Sequence, residues 1–157
     1  TQYKLTTGFR NYFEENTAGV TATTLFRDCL GQGGEVAQPM VISAFRLTGD
    51  ELVCDGAASV NPQPIIRNVA DFQVSYLVQT PGVGAPTVRR FDDAASVTNW
   101  AQVYAVEVCL ELVGNERIDI PTGEKYWNCS NVQTSYGGRM HHVFRNTYQI
   151  RSQGLFR

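Results

Sequence analysis

Histidine is almost absent from this 157-residue chain, and the only two, His141 and His142, are adjacent. In a strand, neighbouring side chains point to opposite faces, so such a pair cannot serve one metal ion or one substrate atom together. The surroundings favour a strand. Met140, His142, Phe144, Tyr148 and Ile150 share one parity, while His141, Arg145, Thr147, Gln149 and Arg151 share the other, an apolar set against a mostly polar one. The pair therefore reads as strand filling, with His141 in water and His142 half buried. Long apolar runs are missing too. Nothing approaches the roughly 18 consecutive apolar residues of a membrane span, and the opening TQYKLTTGFR lacks the apolar centre of a signal peptide, so the chain reads as soluble. Positive charge is not in excess either: the formal net charge of -2 excludes the global basic field that draws proteins to nucleic acid.

The common catalytic signatures are also missing. There is no GxSxG elbow, no HExxH, no Walker loop and no GxGxxG, and the glycine pairs of GQGG and YGG are single turns. Asp92 with Asp93 and Glu107 with Glu111 are the pairings considered as paired carboxylates for acid and base work. Glu107 and Glu111 alternate with an apolar strand face and so belong on a solvated one. The two aspartates precede a short helical turn, which either could cap. Asp92, Asp93 and Asn99 do not form a calcium loop pattern. The expectation is a protein that is not an enzyme, with no catalytic, cofactor or metal residues.

Four cysteines are present, none of them in a CxxC pair or at zinc-ligand spacing to a histidine. Two disulfides in an oxidising compartment fit this usage, with buried free thiols as the alternative. Four cysteines allow three connectivities. Cys109 with Cys129 is favoured because two strand-like segments joined by a loop could bring them together, and Cys29 with Cys54 follows by elimination.

With 43% of its residues hydrophobic, the chain can bury the core of one domain, expected to span residues 1–157. At about 100 degrees per residue, Leu5, Phe9, Tyr12, Phe13, Val20, Phe26 and Leu30 fall on one stripe, which predicts a long amphipathic helix closed by Gly31, Gly33 and Gly34. Some thirty residues at about 1.5 Å each would outreach the domain, so part of the helix should project. Strands follow. MVISAFRL and ELVC around Thr48-Gly49-Asp50 read as a hairpin, DGAASVNPQP as a loop, and VADFQVSYLV and AQVYAVEVCLELVG as alternating strands. EKYWNCS and NVQTSYGG lead to the strand with the histidines. The fold class expected is α+β: a long N-terminal helix packed on a curved, mainly antiparallel sheet. Tyr126, Trp127 and Tyr136 are the best candidates for a contact surface, as aromatics in a loop region beside Cys129.

The order of four blocks resembles a known family, the PilW-type minor pilins of type IV pili, related to the GspJ pseudopilins of type II secretion. LFRDCLGQGG is similar to the end of the family's long helix, through Arg27, Asp28, Gly31, Gly33 and Gly34. FRLTGDELVCDG followed by PIIRNVADFQVSYLV resembles its hairpin and next strand. WAQVYAVEVCLELVG resembles its central strand through Trp100, Val103, Ala105, Val106, Val108 and Leu110. GRMHHVFRNTYQIRSQG resembles its closing strand through Gly138, Arg139, Val143, Phe144, Thr147, Ile150 and Arg151. Asn68 and Leu77-Val78 depart from the family's usual turn residues. The family's leader and apolar first half-helix do not occur in these residues, so the helix is expected to begin in mid-course. The resemblance implies a periplasmic pilin-like head that helps prime pilus assembly and sits at the fibre tip. Its implied partners are other minor pilins, the major pilin, and the inner membrane through the absent helix. Nucleic acid and small-molecule substrates are not implied. The alternatives are a type II secretion pseudopilin and a secreted carbohydrate-binding or surface-binding module using the exposed aromatics.

Overall fold

Alternation of side chains, rather than a helical stripe, governs the architecture. The structure is a computed structural model that describes residues 2–7, 28–31, 41–56, 61–80 and 87–150. Two units divide the chain, Thr1–Arg67 and Asn68–Arg157, each tied by its own disulfide, Cys29–Cys54 in the first and Cys109–Cys129 in the second. This is the connectivity favoured from sequence.

The first unit holds a four-stranded antiparallel sheet in sequence order: β1 (Gln2–Thr7), β2 (Val41–Thr48), β3 (Glu51–Gly56) and β4 (Gln63–Arg67). The expected hairpin is here. Thr48 pairs with Glu51 across Gly49-Asp50, and Gly49 takes φ 61°, a conformation that a residue without a Cβ adopts at no steric cost. Leu52, Val53 and Cys54 are buried in succession, so side chains on both faces of β3 are covered. Cys54 clamps the turn at 28–31 onto β3. In that turn Gly31 N–H bonds the Asp28 carbonyl at 2.9 Å, and a Cβ on Gly56 would collide with the Asp28 carboxylate.

The long helix is overturned. Gln2–Thr7, placed within it from sequence, is a strand paired antiparallel with β2, from Gln2 opposite Arg46 to Thr7 opposite Val41. The physical reason lies in QYKLTT: Tyr3 and Leu5 alternate with Gln2, Lys4 and Thr6, and the β-branched threonines favour extended backbone. One leucine can belong to a helical stripe and to a two-residue alternation at once. The rest of the stripe from Phe9 to Phe26, and Gly33 and Gly34, lie outside the described residues. Among the described residues the helical elements are two three-residue 3-10 turns, Ala94–Ser96 and Trp100–Gln102, so the α+β expectation gives way to an all-β arrangement.

The second unit holds a four-stranded sheet whose strands run β10–β7–β5–β6, where β5 is Val69–Thr80, β6 Thr87–Phe91, β7 Val103–Arg117 and β10 Arg139–Gln149. A two-stranded ribbon, β8 (Lys125–Trp127) and β9 (Gln133–Ser135), interrupts the path from β7 to β10. All pairs are antiparallel, so opposed residues share a face. Phe72, Leu110 and Phe144 line up across one face, and Gln73, Cys109 and Arg145 across the other. A small core of Val78, Val97 and Val103, with Tyr76, Phe91, Val106 and Ile150 against it, closes the end of the sheet near the 3-10 turns. Trp100 meets Tyr76 edge-on there, with ring centroids 5.1 Å apart.

Candidate functional site

Burial reverses the sequence reading of the two sheet faces in the second unit. Glu111, expected in solvent, is 4% exposed, and the side chain of Glu107 is 17% exposed. Phe144 and Tyr148, on the apolar parity, are half exposed at 50% and 54%. The cause is Cys109. Its parity is that of the two glutamates, and its bond to Cys129, with Cα atoms 5.7 Å apart, draws the β8–β9 ribbon over that face.

A carboxylate that loses water needs other donors, and Glu111 has two. Tyr126 donates its hydroxyl to Glu111 Oε1 at 2.6 Å, and His141 Nδ1 lies 2.8 Å from the same oxygen. Tyr126 Oη and His141 Nδ1 are 2.9 Å apart, and the two rings stack with centroids at 4.6 Å. Tyr136 tilts against Tyr126 at 4.9 Å. Burial, and then the hydrogen bond and negative charge of Glu111, push the Tyr126 hydroxyl pKa well above the usual tyrosine value, because ionisation would set two anions side by side. Tyr126 is therefore a neutral donor at physiological pH.

Glu107 is held from two strands, by Arg145 Nη1 at 2.9 Å and Arg90 Nη1 at 3.2 Å. Arg145 also donates Nη2 to the Cys129 carbonyl at 3.1 Å, so one guanidinium joins the sheet to the ribbon's turn. Gln73 adds a tie by donating to Ser130 Oγ at 2.9 Å and to Asp71 at 2.7 Å. The turn is shaped by Asn128, whose Oδ1 accepts from the N–H groups of Ser130 and Val132, and by Asn131 at φ 57°.

The structure separates the three aromatics named from sequence. Tyr126 and Tyr136 are half buried in the stack with His141, whereas Trp127, on the other side of β8, is 60% exposed beside Val132 at 55%. The histidines do point apart, but with the roles exchanged: His141 is half buried in the network and His142 is exposed, its ring 4.4 Å from that of Phe144. Asp71, Glu111 and Cys129 place potential ligand atoms within 4.8 Å of one another, yet Cys129 carries no thiolate while bonded to Cys109. Asp92 accepts from Ser75 and Arg90, Asp93 precedes the first 3-10 turn, and Asn99 caps the second through the Ala101 N–H at 3.1 Å.

Charged groups spent on one another, two disulfides and a ribbon that exposes Trp127 define a disulfide-tied antiparallel β module. Comparison with known families gives the finer assignment: the family model of type IV pilus-assembly protein W matches residues 14–152, and the chain belongs to that family. It is thus a component of type IV pilus assembly. No curated protein and no solved structure matches it. Among the described residues, no helix is long and apolar enough to cross a membrane.

Proposed function

We propose that the chain is a non-catalytic minor pilin that primes assembly of the type IV pilus and sits at the fibre tip. The observation that carries this reading is the family match over residues 14–152. The chemistry supports it, since Glu107, Glu111, Arg145, His141 and Tyr126 satisfy one another and hold the ribbon in place. On this reading the partners are other minor pilins and the major pilin. The protein waits at the inner membrane, facing the periplasm, until it is incorporated. Trp127 is the ribbon residue for partner contact, with Tyr126 and Tyr136 setting its position from beneath.

Deletion of the gene should reduce surface pili by at least about tenfold, counted by electron microscopy. Gold labelling should place the complementing, tagged protein at fibre ends. Wild-type pilus numbers in the deletion, or label spread evenly along fibres, would reject priming and tip location respectively. The exposure of Trp127 also favours a second reading, a carbohydrate-binding surface. A glycan-array signal lost in Trp127→Ala, with fibre number unchanged, would select it.

A further inference from the structure

Among the described residues, all arginines but two are engaged by a neighbour. Arg46 pairs with Asp55, Arg67 with Glu51, Arg90 with Asp92 and Glu107, and Arg145 with Glu107, while Arg89 lies over the Phe91 ring. Arg117 and Arg139 have no acid among the described residues. They are the last residue of β7 and the first of β10, and the ladder sets them directly opposite each other. Beside them the Ile118 N–H bonds the Gly138 carbonyl at 2.9 Å. Bonded and unbonded pairs alternate along an antiparallel ladder, so Arg117 and Arg139 form an unbonded pair, the kind whose Cα atoms are only about 4.5 Å apart. Like charges in that position repel. β10 itself, RMHHVFRNTYQ, contains no acid, and Glu116 makes an ion pair with neither arginine. Both arginines are exposed, and Ile118 and Met140, which follow them in the chain, are 39% and 53% exposed.

We infer that Arg117 and Arg139 form a fork for a carboxylate carried by an acidic segment of a partner protein, with Ile118 and Met140 as its apolar margin. Each guanidinium presents parallel N–H donors that match a carboxylate, so one Asp or Glu side chain set between the two turns a repulsion into two charge-assisted contacts. Charge fixes the chemistry of the occupant. That the occupant is a protein follows from membership of a pilus-assembly family, and arginine and methionine are enriched at protein interfaces. Duplex nucleic acid and anionic lipid call for a broad basic field, which one arginine pair on a chain of net charge -2 does not supply. The inference rests on family membership and on neither priming nor tip location.

Fluorescence anisotropy with a labelled hexaglutamate peptide at low salt tests the fork in the 157-residue chain. Binding should be at least about tenfold tighter than that of hexaglutamine, and the double variant Arg117→Gln with Arg139→Gln should lose at least about tenfold. Arg89→Gln removes an exposed arginine from β6, at the other edge of the same sheet, and should change binding by less than about twofold. Because the pair repels when empty, the double variant should unfold at the same or a higher urea concentration than the unaltered chain, the opposite of what a structural role would give. No preference for hexaglutamate over hexaglutamine, an equal loss in Arg89→Gln, a lower urea midpoint for the double variant, or tighter binding to duplex DNA, inorganic phosphate or phosphatidylglycerol vesicles than to hexaglutamate would each overturn the proposal. Failure of the priming reading shows in fibre counts, and failure of the fork in peptide binding.

Discussion

The two faces of the sheet formed by β5, β6, β7 and β10 show how far a single covalent bond can redirect burial. One face carries Phe72, Val74, Val108, Leu110 and Phe144, the composition of a protein core, yet those residues are half buried or exposed. The other carries Ser75, Glu107, Glu111 and Arg145, the composition of a surface, yet Ser75 and Glu111 are buried. Hydrophobicity alone would assign them the other way round. What differs is cover: Cys129 fastens the ribbon to Cys109 on the polar face, and the charges beneath it are paired before water is lost.

Breaking that fastening should therefore have the largest effect. Cys109→Ser with Cys129→Ser opens a loop of sequence separation 20 and should cost about 3 kcal/mol, read from chemical denaturation. Hydrogen exchange should rise across 125–135 while the β5–β7 ladder keeps its protection. Equal loss of protection in both places would mean that the ribbon is not a separable lid. Next in size is Glu111→Ala, which leaves the Tyr126 hydroxyl and His141 Nδ1 without their shared acceptor. We expect a loss of about 2 kcal/mol, the usual worth of hydrogen bonds to a charged group, since Tyr126 Oη and His141 Nδ1 then keep only their 2.9 Å contact with each other. A change below about 0.5 kcal/mol would show that water reaches the site and that the faces are less different than their exposures suggest.

Tyr126→Phe should be milder, about 1 kcal/mol at neutral pH, since one hydrogen bond is lost and the ring stack is kept. Its clearer signature is alkaline. The folded-state pKa of Tyr126 is raised above the unfolded value of 10.0, so in that window the folded state binds more protons than the unfolded one. Stability from this group is fully present below about pH 10 and falls as the pH climbs above it. In Tyr126→Phe the decline should be shallower. Parallel stability curves for the two proteins above pH 10 would detach Tyr126 from the carboxylate.

Strands were legible wherever alternation was long: β5, β7, β10 and the hairpin around Gly49 lie where the period-two pattern puts them. Which face is covered was not legible from polarity, because the covering ribbon is a short element of three-residue strands placed by a disulfide. The signal existed, though weakly. Cys109 shares its parity with Glu107 and Glu111, so pairing it with Cys129 already required something to lie over those carboxylates. The segment QYKLTT failed for a different reason: six residues satisfy a helical stripe and a strand alternation equally well, and the pairing of Gln2–Thr7 with β2 decides between them. Family membership was legible from the order of four weak blocks, none sufficient alone, which together fall almost wholly within residues 14–152.

The smallest expected effect is the one that sharpens the comparison most. Phe144→Ser removes a phenylalanine, a change that typically costs several kcal/mol in a packed core. Here the side chain is 50% exposed and lines an open groove with Val108, Leu110 and Tyr148, so the change should stay near 0.5 kcal/mol or less. Glu111, with a surface residue's chemistry, would then matter several times more to the isolated fold than Phe144, with a core residue's chemistry. A loss above about 2 kcal/mol for Phe144→Ser would mean that the apolar face is covered in solution. Partners would then have to be sought elsewhere, with the exposed Trp127 side of the ribbon as the next surface.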